Sequence, residues 1–449
     1  MSLNVNGFPR DFRFGVATAA FQIEGAAGRG TTIWDSFCRV PGAIAGGDTG
    51  DVACDHYHRW SADVDLMADL RVESYRFSIA WARVMPDGRK RSADGIDFYR
   101  RLIERLLERG IEPIATLYHW DLPQPLQDAG GWATRDMVEH FTGYAALMAD
   151  EYGDVVEHWI THNEPWVASF LGHAEGIKAP GDREWSTALR VSHHLLLSHA
   201  RAQEAIKSTR PRTQVGIALN LAPVHPATPL EADVRAARRR DGYLNRWFLD
   251  PLLRGAYPAD MVALYEENVG SFDAVQDGDL AAISAPLDFL GVNYYAPETI
   301  RDAPGCGPLE VKRVPRPGEL TAMGWEVDPD GLRELLARVR DDYGPLPIYI
   351  TENGAAFDDP PPNGDASVDD PRRVAYLQGH LEALRRAIAE GSDVRRYCVW
   401  SLVDNFEWEH GYSKRFGIVH VDFDTQRRLP KRSGLWYRDY IQAVRANGA

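Results

Sequence analysis

Eight short apolar runs punctuate this 449-residue chain, near 13–17, 74–79, 113–118, 156–161, 214–219, 289–292, 348–350 and 396–400. At least one stretch with helical periodicity separates each run from the next. Between 97 and 109, Tyr99, Leu102, Ile103, Leu106 and Leu107 fall on one stripe, and Gly110 follows as a residue able to end a helix at positive φ. The next run, Pro113-Ile114-Ala115-Thr116-Leu117-Tyr118, is too short and too apolar for a solvated helix and reads as a buried parallel strand. A second amphipathic helix covers 134–152, closed by Gly153. Strands alternating with helices imply a parallel sheet with right-handed crossovers. Eight of them imply closure into an α/β fold, a (β/α)8 TIM barrel with its active site at the C-terminal strand ends. An open doubly wound sheet would want a Gly-rich phosphate loop after the first strand, and none is present. The Pro/Gly-rich stretches 303–317 and 358–370 read as long loops, not linkers, and no internal repeat is visible, so residues 1–449 are expected to form one catalytic domain.

Composition removes several function classes. The net charge is −15, from 50 basic and 65 acidic residues, which argues against a nucleic-acid partner. The densest basic run, Arg235 to Arg240, has acidic neighbours Asp233 and Asp241 and reads as a solvated helix face. No run of 18 apolar residues exists, so no membrane span is expected. The N-terminal Met1-Ser2-Leu3-Asn4 has neither the basic nor the apolar region of a secretory leader. Four scattered cysteines, Cys38, Cys54, Cys306 and Cys398, suit a reducing cytoplasm better than a disulfide scaffold. His56-Tyr57-His58 and His193-His194 lack metal-site spacing and read as structural, so no metal and no cofactor are expected. No Gly-x-Ser-x-Gly elbow supports serine hydrolase chemistry.

The strand ends carry the informative residues. In such a barrel they converge on one mouth. Here seven of the eight supply Gln22; Arg76; His119; Asn163 with Glu164; Asn293 with Tyr295; Glu352; and Trp400 with Glu407 and Trp408. Glu164 and Glu352 lie 188 residues apart, yet closure brings both to the mouth. Glycoside hydrolysis uses two carboxyl groups, one to protonate the leaving oxygen and one to attack or to activate water. A lone glutamate is ordinarily a surface residue; two at barrel strand ends, each beside an asparagine, are not ordinary. Arg76 is placed to lower the pKa of Glu352, and Tyr295 to donate its hydroxyl to it. His119 is a candidate sugar ligand, although a lone histidine is more often a satisfied interior group. Trp400 and Trp408 are candidate platforms for a pyranose, although tryptophan's default role is core burial.

The chain resembles glycoside hydrolase family 1, the β-glucosidase family, over nearly its whole length. Seven blocks carry the resemblance in order: 12–25 around Gln22; 75–81 around Arg76; 118–123 around His119; Asn163-Glu164-Pro165; 291–295, ending in Tyr295; Ile350-Thr351-Glu352-Asn353-Gly354; and 400–408, from Trp400 to Trp408. The resemblance implies Glu164 as acid/base and Glu352 as nucleophile of a retaining, exo-acting β-glycosidase. It also implies Gln22, His119, Asn163, Glu407 and Trp408 as ligands of the non-reducing sugar, Trp400 as the platform beneath it, and Trp325 on the leaving-group side. His162 departs from the family's phenylalanine, and Val167 from its frequent cysteine.

The implied substrates are small β-glycosides or short oligosaccharides with terminal β-D-glucosyl residues, with galactosyl and fucosyl as further candidates, in a role such as cellobiose degradation. The branch acting on 6-phosphorylated sugars has small residues in place of Glu407-Trp408 and supplies a lysine and a tyrosine. Here Glu407 is acidic, Phe416 stands at the tyrosine's place, and only Lys414 is present. The thioglucosidase branch lacks the acid, and Glu164 is present. Two alternatives stay open: a transglycosylase, and a catalytically silent sugar-binding protein on the same fold. Loss of either carboxylate would have favoured the latter, and neither is lost. Assembly into a homo-oligomer is equally open.

Overall fold

The structure, a computed structural model, describes residues 7–362, 364 and 367–447. The N-terminal segment expected to lack a leader lies outside the described residues, as do parts of the loop 358–370.

All eight apolar runs are barrel strands: β1 (Arg13–Ala17), β2 (Ser74–Ser78), β3 (Glu112–Tyr118), β4 (His158–Asn163), β5 (Gln214–Asn220), β6 (Phe289–Asn293), β7 (Ile348–Asn353) and β8 (Val394–Trp400). Each pairs in parallel with its neighbours in chain order, and β1 closes the ring against β8, with Ala17 opposite Trp400. The strand ends moved. The run 156–161 is His158–Asn163, and 348–350 extends to Asn353, so Glu352 lies within a strand instead of after it. Register shifts between Ile350 and Glu352 against β6, and between Ile350 and Asn353 against β8, explain the difference. Such irregularities re-aim side chains at barrel rims without ending the pairing.

Both faces of these strands are buried, which is why they read as continuous apolar runs. Ile114, Ile160, Ala218, Phe289, Tyr349 and Cys398 belong to one buried cluster, with the Phe289 and Tyr349 rings stacked at 3.9 Å. Their neighbours Ala115, Trp159, Ile217 and Leu290 belong to a larger cluster shared with the helices. Helix Ala93–Glu108 shows how a helix joins it: Ser92 caps the first turn through Gly95 N at 3.2 Å, and Tyr99, Leu102, Ile103 and Leu106 are buried. Leu107, expected on the same stripe, is 43 % exposed. Gly110 takes φ +72° past the helix end, where a Cβ would be strained.

The basic run corrects one expectation. On helix Glu231–Asp241, Arg235 and Arg238 are solvated, but Arg239 pairs with Asp302 at 2.7 Å and Arg240 with Glu298 at 2.6 Å. All four thiols are unpaired, and only Cys306 is exposed. His56 bonds Asp63 at 2.8 Å and His193 bonds Asp279 at 2.9 Å. Among the described residues, no cluster is placed to hold a metal ion, and no helix is long and apolar enough to cross a membrane.

Candidate active site

A cavity of about 390 Å³ opens at the C-terminal ends of the strands and holds both Glu164 and Glu352. Glu352 is reached from two sides. Arg76 Nη1 makes a short ion pair with its Oε1, and the Tyr295 hydroxyl donates to its Oε2 at 2.5 Å. Arg76 is itself fixed on β2: Nε donates to Thr116 Oγ1 at 3.1 Å and Nη2 to Asn163 Oδ1 at 2.7 Å. Gly354 lets the chain leave β7 against β8, since a Cβ there would stand 1.8 Å from the Trp400 carbonyl.

Glu164 faces different company. Asn293 Nδ2 donates to its Oε1 at 2.7 Å, and Thr351 Oγ1, one residue before Glu352, donates to Asn293 Oδ1 at 2.6 Å. The two carboxylates are thus joined through one short network. Glu164 sits at φ +48°, a left-handed conformation that costs roughly 1 kcal/mol or more for a residue with a Cβ. Its N–H donates to Ala218 O at 2.8 Å, its carbonyl accepts from Val167 N at 2.9 Å, and Pro165 disfavours the right-handed helical basin before it. Trp120 at φ +77° and Trp408 at φ +47° share this rare geometry and line the same cavity.

Burial pushes both carboxyls upward, because removing water penalises their charge. For Glu352, the Arg76 guanidinium, the Tyr295 hydroxyl and Asn293 oppose that push. Arg76 thus lowers the pKa of Glu352 as expected, but burial outweighs it, and Glu352 still titrates above the ordinary range. Glu164 is pushed up to about 8 by burial and then by the charge on Glu352, against smaller opposing effects of Asn293, Arg76 and Lys178. The pair titrates as a unit. Glu352, with a cation in direct contact, ionises first.

The other expected residues form the wall. Asn163 Oδ1 accepts from both Arg76 and Asn293, so its Nδ2 faces His119 Nε2 at 3.0 Å. Burial pushes His119 well below the usual range, so the ring is neutral, accepts at Nε2 and carries its proton on Nδ1. That Nδ1 has no partner among the described residues, and neither has Gln22 Oε1. Gln22 Nε2 donates to Asn405 Oδ1 at 3.0 Å and approaches Glu407 Oε2 at 3.5 Å. Burial, opposed chiefly by Lys178, pushes Glu407 to about 8; a neutral Glu407 weakens the expected charge repulsion of a phosphate. Lys414 donates instead to Ala322 O at 2.7 Å. The His119 ring lies 5.8 Å from Trp400 and 6.0 Å from Trp408. Trp325 packs 5.2 Å from Tyr295 and 6.1 Å from Phe416. All expected residues are thus at or beside one cavity.

Sequence reasoning missed several partners. Asn220 ends β5 and lines the cavity, so the one strand from which no site residue was expected also contributes. Trp120 Nε1 donates to the Asn163 carbonyl at 2.9 Å, although its position beside His119 was a usable signal. Asp404 holds the segment carrying Glu407 and Trp408 through Gly417 N at 3.0 Å, Arg415 at 2.8 Å and the wholly buried Lys431 at 2.7 Å. No local pattern marks that network.

The model of glycosyl hydrolase family 1 matches residues 4–446. The chain belongs to glycosyl hydrolase family 1. A member named β-glucosidase A, from Acetivibrio thermocellus, is 47% identical over 97% of this chain and 98% of its own. A bifunctional β-D-glucosidase/β-D-fucosidase from Bifidobacterium breve is 43% identical over 97% and 98%. The crystal structure of the AHE enzyme from Alicyclobacillus herbarius superposes with a TM-score of 0.96 at 48% identity, covering 99% of both chains. The (β/α)8 barrel described above is therefore the barrel of this family.

Proposed function

We propose that the whole chain acts as a single catalytic domain, a retaining exo-β-glycosidase that removes terminal β-D-glucosyl residues by double displacement, and that it does so in the cytoplasm. The observation that carries the reading is the contrast between two joined carboxyls. Glu352 holds a cation and a phenol; Glu164 accepts from Asn293, makes no ion pair among the described residues and is pushed to about 8. Groups whose surroundings push them apart divide into base and acid. In the first step a Glu352 oxygen attacks the anomeric carbon, and Glu164 gives its proton to the departing oxygen. The glycosyl-enzyme has lost the charge on Glu352, so Glu164, now an anion, accepts a proton from the water that attacks next. Gln22, His119, Asn163, Glu407 and Trp408 would hold the sugar hydroxyls, Trp400 would lie beneath the ring, and Trp325 would border the leaving group. The unpartnered polar atoms of Gln22 and His119 support this, and the unpaired cysteines suit a reducing compartment.

The Bifidobacterium breve relative, named for both glucosidase and fucosidase activity, supports including β-fucosides, and β-galactosides differ only at one hydroxyl. A panel of 4-nitrophenyl β-D-glucoside, galactoside, fucoside and 6-phosphoglucoside tests the reading. The highest kcat/KM is expected on the glucoside or fucoside. Turnover of the 6-phosphoglucoside alone, or of none, would refute it.

A further inference from the structure

The cavity that holds the two carboxylates also has a wall that the resemblance does not assign. There Arg240, from the end of helix Glu231–Asp241, meets Glu298 in a two-pronged pair, Nε to Oε2 at 2.6 Å and Nη2 to Oε1 at 2.9 Å. The guanidinium lies 5.5 Å over the Trp166 ring and 4.9 Å over Tyr243. Burial opposes its charge, and Glu298 more than restores it. A planar guanidinium held along one edge by both oxygens of a carboxylate and on its face by rings has little freedom left. Its Nη1 makes no hydrogen bond among the described residues, while Arg240, Glu298 and Trp166 all line the cavity shared with Glu164.

The charges at this end cancel. Arg240 and Arg313 face Glu298 and Glu175; Arg313 stands 4.0 Å from Glu298, and Glu175 accepts from Tyr243 at 3.1 Å. A wall that offers fixed donors without net charge, beside an indole, matches a neutral ligand with hydroxyl edges and an apolar face. An anion would meet Glu298 and Glu175 as well as the arginines.

We propose that the Arg240–Glu298 pair, with Trp166, is a specificity element for the leaving group, selecting one built of sugar units over a flat aromatic one. This rests on the β-glycosidase reading above. A site built to hydrogen-bond hydroxyls discriminates against analogues that lack them, because its own polar groups are then left unpaired.

The test compares kcat/KM on cellotriose with that on 4-nitrophenyl β-D-glucoside, as a ratio, in the wild type and in Arg240→Met, Arg240→Lys and Glu298→Gln. Both substrates present the same β-glucosyl group to the same carboxyls, and a loss of folded enzyme cancels in the ratio. The cellotriose ratio should fall roughly threefold to tenfold in each variant, the worth of about one hydrogen bond. Lysine, which cannot reproduce the fork, should not rescue it. A ratio unchanged in Arg240→Lys and Glu298→Gln would overturn the inference. So would a larger loss on 4-carboxyphenyl β-D-glucoside than on cellotriose, which would mark an anion site. Failure of the underlying reading looks different: the wild type would then cleave neither reference substrate.

Discussion

The Tyr295 hydroxyl donates to Glu352 Oε2 at 2.5 Å while Arg76 takes the other oxygen. A carboxylate gripped at both oxygens is held in one orientation, and both contacts favour its charged form. Tyr295→Phe should lower kcat/KM on aryl glucosides by roughly tenfold to a hundredfold, the range for one hydrogen bond to a charged group, and move the acidic limb of the pH profile upward. Arg76→Met should move that limb further in the same direction. An acidic limb that stays in place in either folded variant would remove that residue from the control of Glu352.

The proton on Glu164 matters only where the leaving oxygen is basic. Glu164→Gln should therefore harm alkyl glucosides and oligosaccharides far more than 2,4-dinitrophenyl glucoside, for which departure needs no protonation. Measured across a series of leaving groups, log kcat/KM should depend more steeply on leaving-group pKa than in the wild type. Parallel lines would give Glu164 a structural role only.

Glu352→Gly removes the attacking oxygen and leaves space beside the anomeric carbon. Hydrolysis should disappear, and sodium azide should restore turnover of an activated aryl glucoside as α-glucosyl azide, formed by direct attack from the vacated side. Ordinary hydrolysis persisting without azide would assign the nucleophile elsewhere.

How far the sequence foretold this arrangement depends on where each residue sits. Strands were legible because a parallel barrel buries both strand faces, so runs such as 113–118 are apolar throughout. Residues at strand ends were legible for a related reason: Asn163, Glu164 and Glu352 are polar groups abutting apolar runs, where a core would forbid them. What escaped was long-range pairing. Lys431 reaches Asp404 and Asp359, and Arg240 reaches Glu298, across loops whose course no local pattern predicts. Arg240 also read as one more charge in a basic helix until its helix face was known. The upward shift of Glu352 was missed because a contact with Arg76 can be guessed from topology, whereas the dryness of the cavity cannot.

The buried carboxyls also carry a stability consequence. Glu407, pushed up to about 8 by burial, has an ordinary value of 4.5 in the unfolded chain. Its folded-state pKa is raised, so the fold is favoured while both states are protonated, below about pH 4.5. That advantage is lost as pH rises through about 8, where the folded carboxyl must finally ionise. Glu407→Gln cannot ionise. The Tm of this variant relative to wild type should therefore be higher at pH 9 than at pH 4.5, as read by thermal melts at both values. An unchanged difference would mean that Glu407 is solvated in the folded protein.

The central claim is that Glu352 attacks the sugar directly and Glu164 serves first as acid and then as base. Proton NMR of the first glucose released from 4-nitrophenyl β-D-glucoside tests it most directly, read before mutarotation scrambles the anomers. Two successive displacements predict β-glucose as the initial product. α-Glucose appearing first would mean a single displacement by water, and would contradict the account.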